Sequence, residues 1–186
     1  MLNGIIGAIT LCYPFLVWYS LEYFQPRSVA LMLAVVFLLR LLLLIRRNPR
    51  SVPAGRTWLS VLPVCVLFLL LTALINETRW LLLYPAFISL LFFAVFASSL
   101  IYPPTVVERL ARLEDPDLPP KGVVYTRKVT QVWSVFFVAN AAISLATVWY
   151  GEHWLWSLYN GGVFYVLMGT LMAVEMLIRR KVKASF

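Results

Sequence analysis

PPTVVERLARLEDPDLPPKGVVYTRKVTQVW, residues 103–133, is the one long polar stretch in an otherwise apolar chain. It carries five of the 16 basic residues (Arg109, Arg112, Lys121, Arg127, Lys128) and four of the eight acidic ones (Glu108, Glu114, Asp115, Asp117). Four apolar runs precede it and two follow. If it is a loop between membrane spans, every flanking run becomes a helix and the fold is all-α.

The stretch has its own local order. Thr105-Val106-Val107-Glu108 fits a capping box, in which Thr and Glu side chains satisfy the orphan N–H groups of a helix start. Val106, Val107, Leu110 and Leu113 recur at helical spacing on one face. Glu108, Arg109, Arg112 and Glu114 take the other. The pattern predicts a short amphipathic helix lying on the inner membrane surface. Asp115-Pro116-Asp117 stops it, and Pro119-Pro120 with Gly122 is expected to keep the next stretch extended. The helix reads either as a plain connector or, through Glu108, Arg109 and Arg112, as a docking surface for a cytoplasmic partner.

Composition supports the membrane reading. The chain has 186 residues, 62% hydrophobic and 13% charged, whereas soluble domains are about half apolar and a quarter charged. A soluble protein of this length lacks the interior to hide so much apolar side chain. The net charge of +8 would suggest nucleic acid in a soluble protein. Here the cations cluster at the ends of apolar runs and no basic module is visible. Anionic lipid headgroups are therefore the expected partner, and nucleic acid is not.

A hydrocarbon core of about 30 Å needs roughly 20 apolar residues as helix. Six runs qualify: 4–24, 28–45, 58–75, 80–102, 130–150 and 154–178. The first is expected to be a retained span, because it has no basic n-region and no small-residue cleavage site, and Glu22 stands near its end. The cations then orient the bundle. Arg40, Arg46, Arg47, Arg50 and Arg56, the five of the central loop, and Arg179, Arg180, Lys181 and Lys183 would share one side. Only Arg27 and Arg79 remain for the other. That 14-to-2 division predicts six transmembrane helices with both termini cytoplasmic.

Aromatic residues fall where interfaces are expected. Trp18, Tyr19, Tyr23, Phe24, Trp80, Tyr84, Trp149, Tyr150, Trp154 and Trp156 would mark the outer side, and Trp58 and Trp133 the inner. They anchor the helices or, alternatively, stack on a ring or sugar. Pro14, Pro63 and Pro85 each interrupt a span. Tyr13-Pro14-Phe15 is echoed by Tyr84-Pro85-Ala86-Phe87 in a span of opposite direction. This is either a trace of an inverted repeat, as in transporters, or coincidence.

Chemistry-bearing residues are sparse. His153 is the single histidine, beside Glu152, and Cys12 and Cys65 both fall in apolar spans. No metal-ligand spacing and no phosphate-binding glycine loop is present, so no metal, cofactor or catalytic residue is expected. Polar residues inside spans are more informative, because they are costly there. Arg40 and Glu175 fall at similar depth, and either form an ion pair tying the second span to the sixth or snorkel separately. Asn140 and Asn160, with Gln131, Ser134 and Ser144 near Asn140's face, either hydrogen-bond helices together or line a pocket for a lipid headgroup.

Trp133-Ser134-Val135-Phe136-Phe137, followed after a short turn by Trp156-Ser157-Leu158-Tyr159-Asn160, resembles the intracellular septation protein A family of small bacterial inner-membrane proteins. Leu158 and Asn160 depart from the Asn and Lys of that family's pattern. Glu108 to Arg112, Pro116 to Pro120 and Tyr125 to Trp133 more closely resemble a group of small membrane proteins encoded beside aryl-polyene or fatty-acid-like biosynthesis genes. Both resemblances imply work in the envelope or a lipid pathway. Three functions follow as expectations. The first is a non-enzymatic envelope-biogenesis factor, a scaffold or lipid-handling accessory with protein partners in envelope or polyene biosynthesis. The second is a small transporter or flippase for a lipid-linked or polyene product. The third is a membrane enzyme using His153 or Glu175.

Overall fold

The computed structural model describes residues 25–46 and 55–183. The expected first span, 4–24, lies outside the described residues, as do Arg47, Arg50 and the side chains of Arg56 and Trp58. Among the described residues every regular element is helical. They are α1 (Pro26–Arg46), α2 (Gly55–Ile75), α3 (Thr78–Leu82), α4 (Tyr84–Ile101), α5 (Val106–Glu114), α6 (Pro120–Tyr150), α7 (His153–Leu158), a π-helical turn (Tyr159–Val163) and α8 (Phe164–Lys183).

Among the described residues four helices are long and apolar enough to cross a membrane: α1, α4, α6 and the run His153–Lys183. In α2 the apolar part, Val61–Ile75, is shorter. The helices pair as α1 with α2 and as α4 with α6. One core joins the pairs, built from Val29, Ala30 and Ala34 of α1, Leu69 and Ala73 of α2, Leu81 and Leu82 of α3, Tyr84 of α4 and Trp156 of α7. The alanines let α1 approach closely. Asn76 ends α2 at φ 55°, and its Oδ1 accepts from the Arg27 N–H at 3.0 Å, tying the two helix ends. A short polar side chain tolerates that left-handed backbone.

Aromatic rings hold the other pair. Phe92 and Phe96 of α4 meet Phe137 of α6 with centroids 5.3 and 5.2 Å apart. Trp133 and Phe136 join Phe137 on α6, and Phe136 stacks on Phe164 of α8. Offset and edge-on contacts of this kind add to simple burial.

Two expectations about boundaries change. Pro119-Pro120 does not hold an extended strand of loop: Pro119 takes the N-cap position and α6 begins at Pro120. Proline suits the first helical turn, where its missing N–H would have no partner anyway. The run 80–102 is not one helix. It breaks at Leu83 between α3 and α4, because Pro85 has no N–H to offer the preceding turn.

From Val132 onward the outer face of the long helix α6 is apolar, whereas its buried face is rich in polar residues. Its buried face is Gly122, Thr126, Val129, Thr130, Ser134, Phe137, Asn140, Ala141, Ser144 and Thr147. Val124, Val132, Val135 and Val138 face outward. An apolar surroundings inverts the usual pattern in this way, because only polar groups then gain by turning to one another.

Candidate functional site

The polar face of α6 builds two neighbouring hydrogen-bond sets, one with α4 and the π-helical turn and one with the π-helical turn and α7. Asn140 lies at the centre of the first, 3% exposed. Its amide Nδ2 donates to Ser89 Oγ of α4 at 2.7 Å, and its Oδ1 accepts from the Tyr159 hydroxyl at 2.8 Å. Ser89 Oγ in turn donates to the Pro85 carbonyl at 2.9 Å. One turn further along α6, Ser144 Oγ donates to Asn160 Oδ1 at 2.7 Å. Asn160 Nδ2 donates to the Trp156 carbonyl at 2.9 Å and more weakly to Thr147 Oγ1 at 3.4 Å. Trp156, 1% exposed, sends its indole N–H to the Leu82 carbonyl at 2.9 Å, beside the break before Pro85.

Parts of these sets have a local cause. Ser89 stands four residues after Pro85, the spacing at which a serine hydroxyl reaches back to a helix carbonyl. The π-helical turn contains Gly161 and Gly162. It leaves Tyr159, Asn160 and Gly161 all buried. Interhelical bonds between uncharged groups contribute about 0.6 kcal/mol each in membranes, up to about 1.7. The two sets therefore fix which faces meet more than they add to total stability.

The sequence-derived residues divide over this geometry. Asn140, Asn160 and Ser144 lie inside the two sets. Gln131 joins neither: the side chain is exposed, nine residues and thus half a rotation away from Asn140 on α6. Ser134 is buried but bonds its own helix at the Thr130 carbonyl. Ser89, Thr147, Trp156 and Tyr159 were not singled out as members, although a serine one turn after a proline in an apolar span was a usable signal for Ser89.

A second cluster closes the other end of the bundle. Glu175 of α8 receives Arg179 at both oxygens, each at 3.0 Å. The Tyr125 hydroxyl of α6 lies 3.2 Å from the Glu175 carbonyl and 3.3 Å from its Oε1. Glu175 is thus engaged by Arg179, one turn away on the same helix, and by Tyr125, whereas Arg40 is on α1, whose main packing partner is α2. Lys183 reaches Glu114 of α5 at 3.3 Å, an exposed pair of small worth. A cleft of about 30 Å³, lined by Val107, Ala111, Leu118, Tyr125 and Val182 among others, lies between α5, α6 and α8. That is room for one or two waters.

Helix α5 forms as the spacing predicts. Thr105 Oγ1 accepts from the Glu108 N–H at 3.2 Å, the forward half of a capping box. Its faces, however, are rotated from expectation. Val106 and Val107 are buried, but Leu110 is 40% and Leu113 59% exposed. Glu108 is 6% exposed and holds Arg112 at 2.9 Å. Arg112 also donates to the Pro116 carbonyl, and Arg109 to the Pro104 carbonyl. Of the three docking candidates, Glu108 is therefore buried, and Arg109 and Arg112 are partly committed to folding their own segment.

His153 opens α7 and is exposed. Cys65 is buried in α2, and no group of His, Cys, Asp and Glu able to hold a metal ion occurs among the described residues. Comparison with family models, with curated proteins and with solved structures returns no match, so the functional reading rests on the residues themselves.

Proposed function

We propose that this chain is a six-span protein of the bacterial inner membrane, with both termini cytoplasmic, that serves envelope biogenesis without catalysing a reaction. Its role is that of a scaffold or lipid-handling accessory with anionic lipids at its cytoplasmic face. The observation that supports this reading best is the commitment of Asn140 to Ser89 and Tyr159, and of Ser144 to Asn160. The polar groups of the bundle interior hold helices together. Kinship with the intracellular septation protein A family belongs to the same proposal, through Trp133 to Phe137.

A transporter or flippase for a lipid-linked or polyene product is the second reading. The break before Pro85 and the π-helical turn favour it, because both are places where a membrane helix changes direction.

A photocrosslinker at the exposed Arg109, used in growing cells, separates the two. The scaffold reading expects a defined envelope or lipid-pathway protein joined at that position. Transport of a lipid-linked product by the purified protein in vesicles, abolished by Asn140→Leu, would replace it with the second reading.

A further inference from the structure

Helix α6 has 31 residues, about 46 Å of helix, and so outruns a hydrocarbon core of about 30 Å. Its far end carries Trp149, 94% exposed, and Tyr150, 72% exposed, the residue types that settle at a headgroup boundary. Counting back about 20 residues from Trp149 sets the opposite boundary near Val129. Arg127, Lys128 and Gln131 fall at that boundary, and all three are exposed. Val132, Val135 and Val138 continue the same exposed side into the apolar zone, at 50, 65 and 40% exposure.

Charge at this place is uncompensated and lies directly beside an apolar stripe of the same helix. Arg112, Arg179 and Lys183 are paired with Glu108, Glu175 and Glu114. Among the described residues Arg127, Lys128 and Gln131 make no side-chain hydrogen bond or ion pair. Two adjacent cations and an amide donor thus stand without acceptors directly below an apolar stripe.

We infer that this face of α6 binds the phosphate of an anionic phospholipid: Arg127 and Lys128 hold the headgroup, Gln131 donates to it, and the acyl chain lies along Val132 and Val135. Charge complementarity supplies the occupant. A bilayer leaflet offers acceptor oxygens and apolar chain in the same order along the membrane normal, and cations near such a surface each contribute appreciable affinity. The inference rests on the membrane-spanning reading of α6 given above. It also gives Gln131 a role outside the interior hydrogen-bond sets.

Full-length protein in mild detergent is titrated with phosphatidylglycerol, with phosphatidylcholine and with inorganic phosphate, and its thermal midpoint followed. Phosphatidylglycerol is expected to raise the midpoint by about 5 °C, with little change from the other two. Arg127→Gln with Lys128→Gln should weaken the phosphatidylglycerol response about thirty-fold. Arg180→Gln with Lys181→Gln, which removes equal charge from α8, should keep most of it. All variants should match the wild type without lipid, because the side chains are exposed. Equal loss in both double variants, an equal response to free phosphate, or no wild-type response to phosphatidylglycerol overturns the inference. Alkaline extraction of the same proteins keeps the two readings apart: release from membranes sinks the membrane-spanning reading, whereas retention with a flat lipid response sinks only the headgroup site.

Discussion

The Tyr159 hydroxyl donates to Asn140 Oδ1 at 2.8 Å, joining the π-helical turn to the middle of α6. Tyr159 is 9% exposed and Asn140 3%, so water cannot replace either partner. Tyr159→Phe should cost about 1 kcal/mol, because one interhelical bond is lost and one acceptor is orphaned. Asn140→Leu should cost more, since Ser89 and Tyr159 both lose their partner. Reversible unfolding in mixed micelles measures both. A double-mutant cycle in which the two effects simply add would show that the bond contributes nothing.

The glycine that ends α6 and one in the π-helical turn differ in what they require. Gly151 ends α6 at φ 86°, a conformation that a Cβ disfavours. Gly151→Ala should therefore destabilise by about 1 kcal/mol. A Cβ at Gly162 meets nothing within 4 Å, so Gly162→Ala should stay within about 0.5 kcal/mol of wild type. The same unfolding measurement ranks them, and a larger loss at Gly162 would contradict the open space seen there.

Gly122 tests the packing of the turn after α5 onto α6. A Cβ there would come within 2.8 Å of Leu118 Cδ1 and 2.9 Å of Leu118 Cγ. Gly122→Ala must displace Leu118 from the cleft beside α5, and a loss of about 1 to 2 kcal/mol is expected. Gly122→Ala combined with Leu118→Ala should recover part of it.

Thr105 caps α5 through the Glu108 N–H. Thr105→Ala should remove about 1 kcal/mol of helix stability, and Thr105→Ser little. Hydrogen exchange of the α5 amides reads this directly: faster exchange confined to residues 106–110 is the expected pattern, and unchanged protection would show that packing alone holds the helix.

The carboxylate of Glu175 links α8 to α6 through Tyr125. Glu175→Gln and Tyr125→Phe should therefore be non-additive, with a coupling of about 0.5 kcal/mol or more. Glu175→Gln and Arg40→Gln should add within about 0.3 to 0.5 kcal/mol. Strong coupling in the second cycle would pair Arg40 with Glu175.

By itself the amino-acid sequence determined the features that depend on neighbouring residues. Runs of apolar side chains dictate helices able to cross a membrane, and 28–45 and 130–150 fall within α1 and α6. Thr105 and Glu108, three residues apart, set the start of α5 in any environment. Proline marked the break at Leu83 as a kink, though it also misled at Pro119-Pro120, because the same ring that stops a helix can begin one. The tertiary structure alone decided partnership. Asn140 is 51 residues from Ser89 and 19 from Tyr159, and whether they meet depends on how each helix is rotated about its axis. Arg179 holds the Glu175 carboxylate from one turn away on the same helix, and only the packing of α8 on α6 brings Tyr125 to it as well. Hydropathy sets how deep a residue sits along the membrane normal; only the packing of helix against helix sets which way it turns.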